Sequence, residues 1–349
     1  MSRSTRKTMG GVTVQDVARA AGVSAMTVSR VMNGGTNVRA DTRKAVLAAV
    51  EQLDYRPNAA ARSLAAGGAA QIGLLYANPS AGYLSQFLIG ALETARRAGS
   101  HLVLEACEDD SAQAQAEAVH QLIDARVRGV VLPPPLSESV VVRTALAQAG
   151  IPWAAIAMGA QEAGTLNVRI DDFEAARAMT RHLIELGHRE IGFIKGHPIQ
   201  VASAERHRGF VAALEEAGID PASARIEQGL FTYRSGINAA ERILAAPGAP
   251  TAIFASNDDM AAAAVGVAHR HGLHVPGDLS IVGFDDTAIA TSIWPALTTI
   301  RQPISAMAEA AITMLLRRVR ERPGETEATE EEVLPYELVL RESAGPSPR

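Results

Sequence analysis

Apolar residues recur along this chain with two different periods, and the change near residue 70 divides it. From Thr13 to Asn33 the spacing is helical. Val14, Val17, Ala18 and Ala21 share one face, Thr13 supplies an N-cap hydroxyl, and Asp16 sits three residues later, where its carboxylate can meet free N–H groups. Gly22 tolerates the left-handed end that closes a helix. Ser24 caps a second helix. Val28, Val31 and Met32 point inward, and Ala25, Met26, Thr27, Ser29, Arg30 and Asn33 form the outer face. Two helices so joined make a helix-turn-helix, although on spacing alone an ordinary helical hairpin fits equally well. A third amphipathic helix spans Ala40–Leu53, with Val46, Leu47, Val50 and Leu53 on one side. Tyr55-Arg56-Pro57-Asn58 and a small-residue helix follow, ending at Gly67-Gly68, which reads as a joint.

From Gln71 short apolar runs alternate with helical stretches. Strands are expected at Ile72–Tyr76, His101–Ala106, Val127–Leu132 and Pro152–Ala157, with helices over 82–99, 111–126 and 137–149 between them. The alternation restarts at Leu166–Ile170. Helices then fall over 172–186, 202–217, 232–245 and 257–271, and strands at Ile191–Lys195, Ala252–Ala255 and Leu279–Gly283. A long helix over 302–320, an acidic loop over 321–332, a strand over 333–341 and a loose tail close the chain. The pattern predicts βαβ units in two doubly wound lobes of parallel sheet, with ligands bound outside the carboxyl ends of the strands.

Charge sharpens the division. Residues 1–68 hold ten Lys/Arg against four Asp/Glu, and the remainder holds 23 against 34. A basic head on an acidic body suits phosphate contact through counterion release. With 47% hydrophobic but only 4% aromatic residues, the core must be Ala, Val, Leu and Ile. No apolar run approaches the roughly 20 residues of a membrane helix. No apolar stretch follows the basic N-terminus, and the single cysteine, Cys107, fits a reducing cytoplasm.

The first 68 residues strongly resemble the DNA-binding headpiece of the lactose-repressor (LacI/GalR) family. Its pattern T-x-x-D-V-A-x-x-A-G-V-S-x-x-T-V-S-R-V-x-N runs from Thr13 to Asn33, and its Y-x-P-N-x-x-A-x-x-L hinge from Tyr55 to Leu64. Further stretches resemble the family's regulatory domain: Leu186–Phe193, Arg206-x-x-Gly-Phe210, Asn257–Ala261, Val275–Asp286 and Pro295–Gln302. The resemblance implies an all-α helix-turn-helix headpiece and an α/β, two-lobed, periplasmic-binding-protein-like regulatory domain. The expected parts are a disordered arm (1–11), headpiece (12–57), hinge helix and linker (58–68), effector domain (69–341) and tail (342–349). Lobe one covers about 70–166 and 302–326, and lobe two about 167–300 and 330–341, with crossings near 165–170, 298–302 and 325–332.

By the same resemblance, DNA is contacted by Thr13, Ser24, Ala25, Met26, Thr27, Ser29, Arg30, Asn33, Asn37 and Tyr55, and by Asn58, Ala61 and Leu64 of the hinge. Leu64 would wedge into the minor groove. The effector residues implied are Tyr83, Arg206, Phe231, Asn257 and Asp285. Three of them have a plain alternative: Arg206 a surface arginine, Asn257 a helix cap, and Tyr83 a core residue. Asp171 and Asp172 read as helix caps. Ala157 stands where the family's namesake has a pocket aspartate, so its galactoside-holding arrangement is not expected.

Enzyme motifs are missing: there is no G-x-S-x-G elbow, P-loop, H-E-x-x-H or G-x-G-x-x-G. His269, His271 and His274 mimic metal spacing but read as a charged helix end, so no metal and no cofactor are expected. The expectation is a cytoplasmic homodimeric repressor. It would leave a palindromic double-stranded operator when a sugar or sugar derivative binds. The alternatives are a purine-like corepressor and a sugar-binding protein without a gene-regulatory role. With so few residues after the last strand, dimers rather than tetramers tethered by a heptad helix are expected.

Overall fold

The structure, a computed structural model, describes residues 13–32, 38–53, 55, 70–77, 79–107, 109–159, 164–245, 248–321 and 328–348. The expected arm, Asn33, Asn37, the hinge residues Asn58, Ala61 and Leu64, and the side chain of Ser29 lie outside that description. The chain divides into two compact units, residues 1–69 and 70–349.

The first unit is α1 (Val14–Ala21), α2 (Ala25–Met32) and α3 (Ala40–Gln52). Thr13 and Asp16 form a reciprocal capping box: Asp16 donates its N–H to the Thr13 hydroxyl and its carboxylate accepts the Thr13 N–H at 3.0 Å. Gly22 sits at φ 65°, and the Ser24 hydroxyl accepts the Thr27 N–H at 3.2 Å. Those local signals place α1 and α2 so that Val17, Val28, Val31, Val46 and Ala49 bury one small core. Burying each valine contributes about 1.5–3 kcal/mol.

The second unit begins with β1 (Gln71–Tyr76), α4 (Ala81–Arg97), β2 (His101–Ala106), α5 (Ala112–Asp124), β3 (Gly129–Leu132), α6 (Val140–Gln148), β4 (Trp153–Ile156) and β5 (Leu166–Arg169). Then come α7 (Asp172–Glu185), β6 (Ile191–Lys195), α8 (Val201–Glu216), β7 (Arg225–Gln228), α9 (Tyr233–Ala245), β8 (Ala252–Ala255), α10 (Asp258–Arg270), β9 (Ser280–Asp285), α11 (Ile289–Ser292) and β10 (Thr298–Arg301). The last elements are α12 (Ile304–Arg320), β11 (Glu330–Val333) and β12 (Glu337–Val339). Two six-stranded sheets result, ordered β11-β5-β4-β3-β1-β2 and β12-β10-β9-β8-β6-β7. The first is wholly parallel. In the second only β12 runs antiparallel, against β10.

Three expectations change. Residues 167–169 lie in the first sheet, as part of β5, whereas the family resemblance implies lobe two for about 167–300. Glu330–Val333, expected as loop and as lobe two, is the parallel edge strand of that same sheet. Arg169 holds it there by a two-pronged bond to Glu331, at 2.9 and 3.1 Å. The third crossing therefore follows Val333. The tail is docked rather than loose: Ser343 is fully buried, its hydroxyl accepts the Thr298 N–H at 2.8 Å, and the Ser347 N–H donates to Leu186.

Candidate effector site and DNA-reading face

The carboxyl ends of the strands in both lobes face one cleft, where ligands of doubly wound sheets bind. Ser80 and Tyr83 follow β1, Pro134 follows β3 and Ala157 follows β4. From lobe two come Gln200 and Arg206 around the start of α8, Phe231 before α9, Asn257 after β8, Asp285 at the end of β9, and Gln302 after β10. All five expected effector residues line this one cleft.

Arg206 is its electrostatic centre and is 5% exposed. Its Nε donates to Asp172 Oδ1 at 2.8 Å and its Nη1 to the Ser256 carbonyl at 2.6 Å. The guanidinium lies 3.6 Å from the Phe284 ring centroid. It is not the surface arginine of the plain alternative. Asp285 lies 3.7 Å from Nη1, and its Oδ1 accepts a 2.6 Å bond from Gln302. Burial pushes the Asp285 carboxyl up to about 7, against the opposing pull of Arg206 and Gln302. Burial also raises Asp172 despite its arginine partner, and raises Asp258, which the Asp285 charge pushes further. Thr299 and Thr287 satisfy Asp258 behind the site.

Asn257 is the helix cap of its plain alternative and also lines the cleft. Its Oδ1 caps α10 through the Met260 N–H, and its Nδ2 donates to the Phe231 carbonyl at 3.0 Å, leaving one N–H for a ligand. Tyr83 likewise belongs to the core, stacked along Phe87, and to the cleft wall; burial raises its hydroxyl pKa. Ala157, Phe231 and Asp285 hold φ of 55°, 60° and 111°. Left-handed non-glycine residues cost free energy and cluster at functional sites.

Sequence reasoning misses Ser80, Gln200 and Gln302, and takes Asp172 for a cap. Asp171 is the cap, accepting the Glu174 N–H at 2.9 Å, which frees Asp172 for Arg206. Bonds also clasp the lobes over the cleft. Ser80 bonds Asp259, Gln86 donates to the Asp286 carbonyl at 3.1 Å, and Glu138 accepts the Val201 N–H. His271 is taken up by Glu241 and His269 stacks on Trp294. Among the described residues no trio of potential ligands could hold a metal.

On the headpiece, Met26 is 67% exposed and no described residue pairs with the exposed Arg30. The Thr27 hydroxyl bonds that of Ser24 at 2.9 Å. Tyr55 packs half-buried on the headpiece core.

Residues 13–58 match the family described as bacterial regulatory proteins, lacI family, and residues 180–344 the periplasmic binding protein-like domain. HTH-type transcriptional repressor PurR of Photobacterium profundum is 33% identical over 331 residues, covering 95% of this chain and 98% of that protein. The chain belongs to the LacI family. It is thus a DNA-binding transcriptional regulator with an effector domain, not an enzyme. Solved structures of similar fold include a complex of the transcriptional regulator CelR with cellobiose, with TM-score 0.72 and 31% identity over 95% of this chain and 99% of that one. A Lac repressor dimer bound to operator and the anti-inducer ONPF gives TM-score 0.71 and 30% identity over 96% and 100%. Among the described residues no helix is long and apolar enough to cross a membrane.

Proposed function

We propose that this LacI-family regulator is a cytoplasmic homodimeric repressor, released from a palindromic operator by a neutral sugar or glycoside held between its lobes. The observation that carries the ligand class is that Arg206 is already committed. Asp172 and the Ser256 carbonyl take its Nε and Nη1, and Asp285 lies 3.7 Å away, so among the described residues the cleft offers an anion no cation without a carboxylate beside it. What it does offer suits hydroxyls: the second oxygen of Asp285, the remaining N–H of Asn257, and Gln200 and Gln302. Phe231 and Tyr83 add apolar walls for a sugar's C–H face. In this reading Tyr83, Arg206, Phe231, Asn257 and Asp285 form the effector site. In this proposal the headpiece contacts DNA through Ala25, Met26, Thr27, Ser29, Arg30, Asn33 and Asn37, and Asn58–Gly68 is the hinge. The CelR–cellobiose and Lac repressor–operator complexes support both halves by similarity.

A thermal-shift screen of neutral sugars, sugar acids, sugar phosphates and purines tests it. A ligand at about 100 times its Kd stabilises the native state by about 2.7 kcal/mol. A neutral sugar or glycoside should raise the melting temperature. A shift only with phosphates, acids or purines would overturn the ligand class.

A further inference from the structure

Because the first sheet is parallel, its strands share an amino-terminal edge, at Gln71, His101, Gly129, Trp153, Leu166 and Glu330. The helices that run back from the strands end there: α4 at Arg97, α5 at Asp124 and α12 at Arg320. Backbone bonds fix the neighbours of the point where the chain enters. The Ala70 carbonyl accepts the His101 N–H at 3.0 Å, and the Gln71 carbonyl accepts the Arg128 N–H at 2.8 Å. Arg128 then donates from Nη2 to the Val319 carbonyl at 3.2 Å, which brings the last turn of α12 alongside.

Six exposed arginines gather on this edge: Arg96, Arg97, Arg126, Arg128, Arg317 and Arg320. Arg97 meets Glu309 at 2.7 Å, and Arg317 meets Glu330. Among the described residues nothing acidic meets Arg96, Arg126 or Arg320. The helix macrodipole favours a cation at each helix end. It accounts for Arg128, which donates to a carbonyl in the last turn of α12, but not for Arg126, which lies beyond α5. Nor does it explain unpaired cations gathered here on a body with 23 Lys/Arg against 34 Asp/Glu.

We propose that this arginine edge is a second DNA contact, gripping backbone phosphates of the duplex that the headpiece holds. The headpiece is tied to Ala70 through residues 56–69, a stretch spanning at most about 50 Å even when fully extended. That covalent link raises the effective concentration of the held duplex at the edge. Guanidinium forks match phosphate geometry, and such contacts add affinity and salt dependence but carry no sequence information.

The test uses the full chain and a labelled mixed-sequence duplex of about 40 base pairs. Anisotropy is titrated from roughly 50 to 200 mM salt, where sequence-independent binding is electrostatic. The variant is Arg96→Gln/Arg126→Gln/Arg320→Gln. The slope of log affinity against log salt should fall in magnitude by about 0.9 for each phosphate no longer neutralised, or roughly 3 per chain. Arg96→Lys/Arg126→Lys/Arg320→Lys should keep most of the slope. Arg208→Gln/Arg234→Gln/Arg242→Gln, which removes the same charge from exposed positions on lobe two, should leave it unchanged. An unchanged slope in the glutamine variant, or an equal fall in the lobe-two control, overturns the proposal. A melting temperature equal to that of the parent chain shows that the variant is folded.

Discussion

Replacing Asp285 by asparagine should stabilise the fold while disabling the site. The Asp285 carboxyl is 4% exposed and its pKa is pushed from 3.8 to about 7. Each unit is 1.36 kcal/mol, so the ionised carboxylate costs the native state about 4 kcal/mol where both states are ionised. The attraction of Arg206 is already contained in that value. Between pH about 4 and 7 the folded chain binds more protons here than the unfolded chain, so this group makes stability fall as pH rises. Asparagine keeps the shape and can still accept the Gln302 bond. It also tolerates left-handed φ and carries no charge. Urea unfolding followed by circular dichroism should show Asp285→Asn more stable than the parent by on the order of 2–4 kcal/mol near pH 8, the gap narrowing toward pH 5. The same variant should lose the ligand-induced melting shift. A variant less stable near pH 8, or a gap independent of pH, would refute the reasoning.

Arg206→Met leaves Asp172 and Asp285 buried without their cation, so about 3–5 kcal/mol should be lost near neutral pH. Acid should restore part of this as the carboxylates protonate, and urea unfolding at two pH values reads both effects. At Gly209 a Cβ would lie 2.1 Å from the Phe173 carbonyl oxygen. Gly209→Ala must therefore part α7 from α8, costing about 1–3 kcal/mol in thermal unfolding; an unchanged melting temperature would contradict that packing. Arg30→Ala should weaken operator binding by about 1–3 kcal/mol and relax preference at one base pair. Gel shifts across operator variants check this, and unchanged binding would remove Arg30 from the interface.

The headpiece is legible in the sequence because its determinants are local: Thr13 and Asp16 are three residues apart, and Gly22 and Ser24 mark the turn directly. Buried strands such as β3 and β8 are legible as apolar runs. The strands that leave no such mark are β7 (RIEQ), β11 (EEEV) and the short β10. The first two are polar edge strands, partnered on one side only, and a solvated edge carries no apolar signature. In the site, Arg206, Asn257 and Asp285 are readable from the family motifs and from their places at strand and helix ends. Asp172 is not, because its role depends on a partner 34 residues away, and helix-capping chemistry fits the same position. Ser343 is hidden for the same reason: its bonds to Thr298 and Ile281 span 45 and 62 residues, and long-range polar contacts leave no periodic trace.

In the proposed function the cleft and the headpiece are thermodynamically coupled. This coupling is tested by measuring DNA affinity with and without the sugar found in the screen, and sugar affinity with and without DNA, at one fixed salt concentration on a duplex selected for tight binding. Linkage requires the two factors to be equal, with each ligand weakening the other, and typical couplings are about 5–150-fold. That reciprocal loss is expected in the parent chain and not in Asp285→Asn, whose DNA affinity should match the parent's. A sugar that binds the cleft yet leaves DNA affinity unchanged would contradict it.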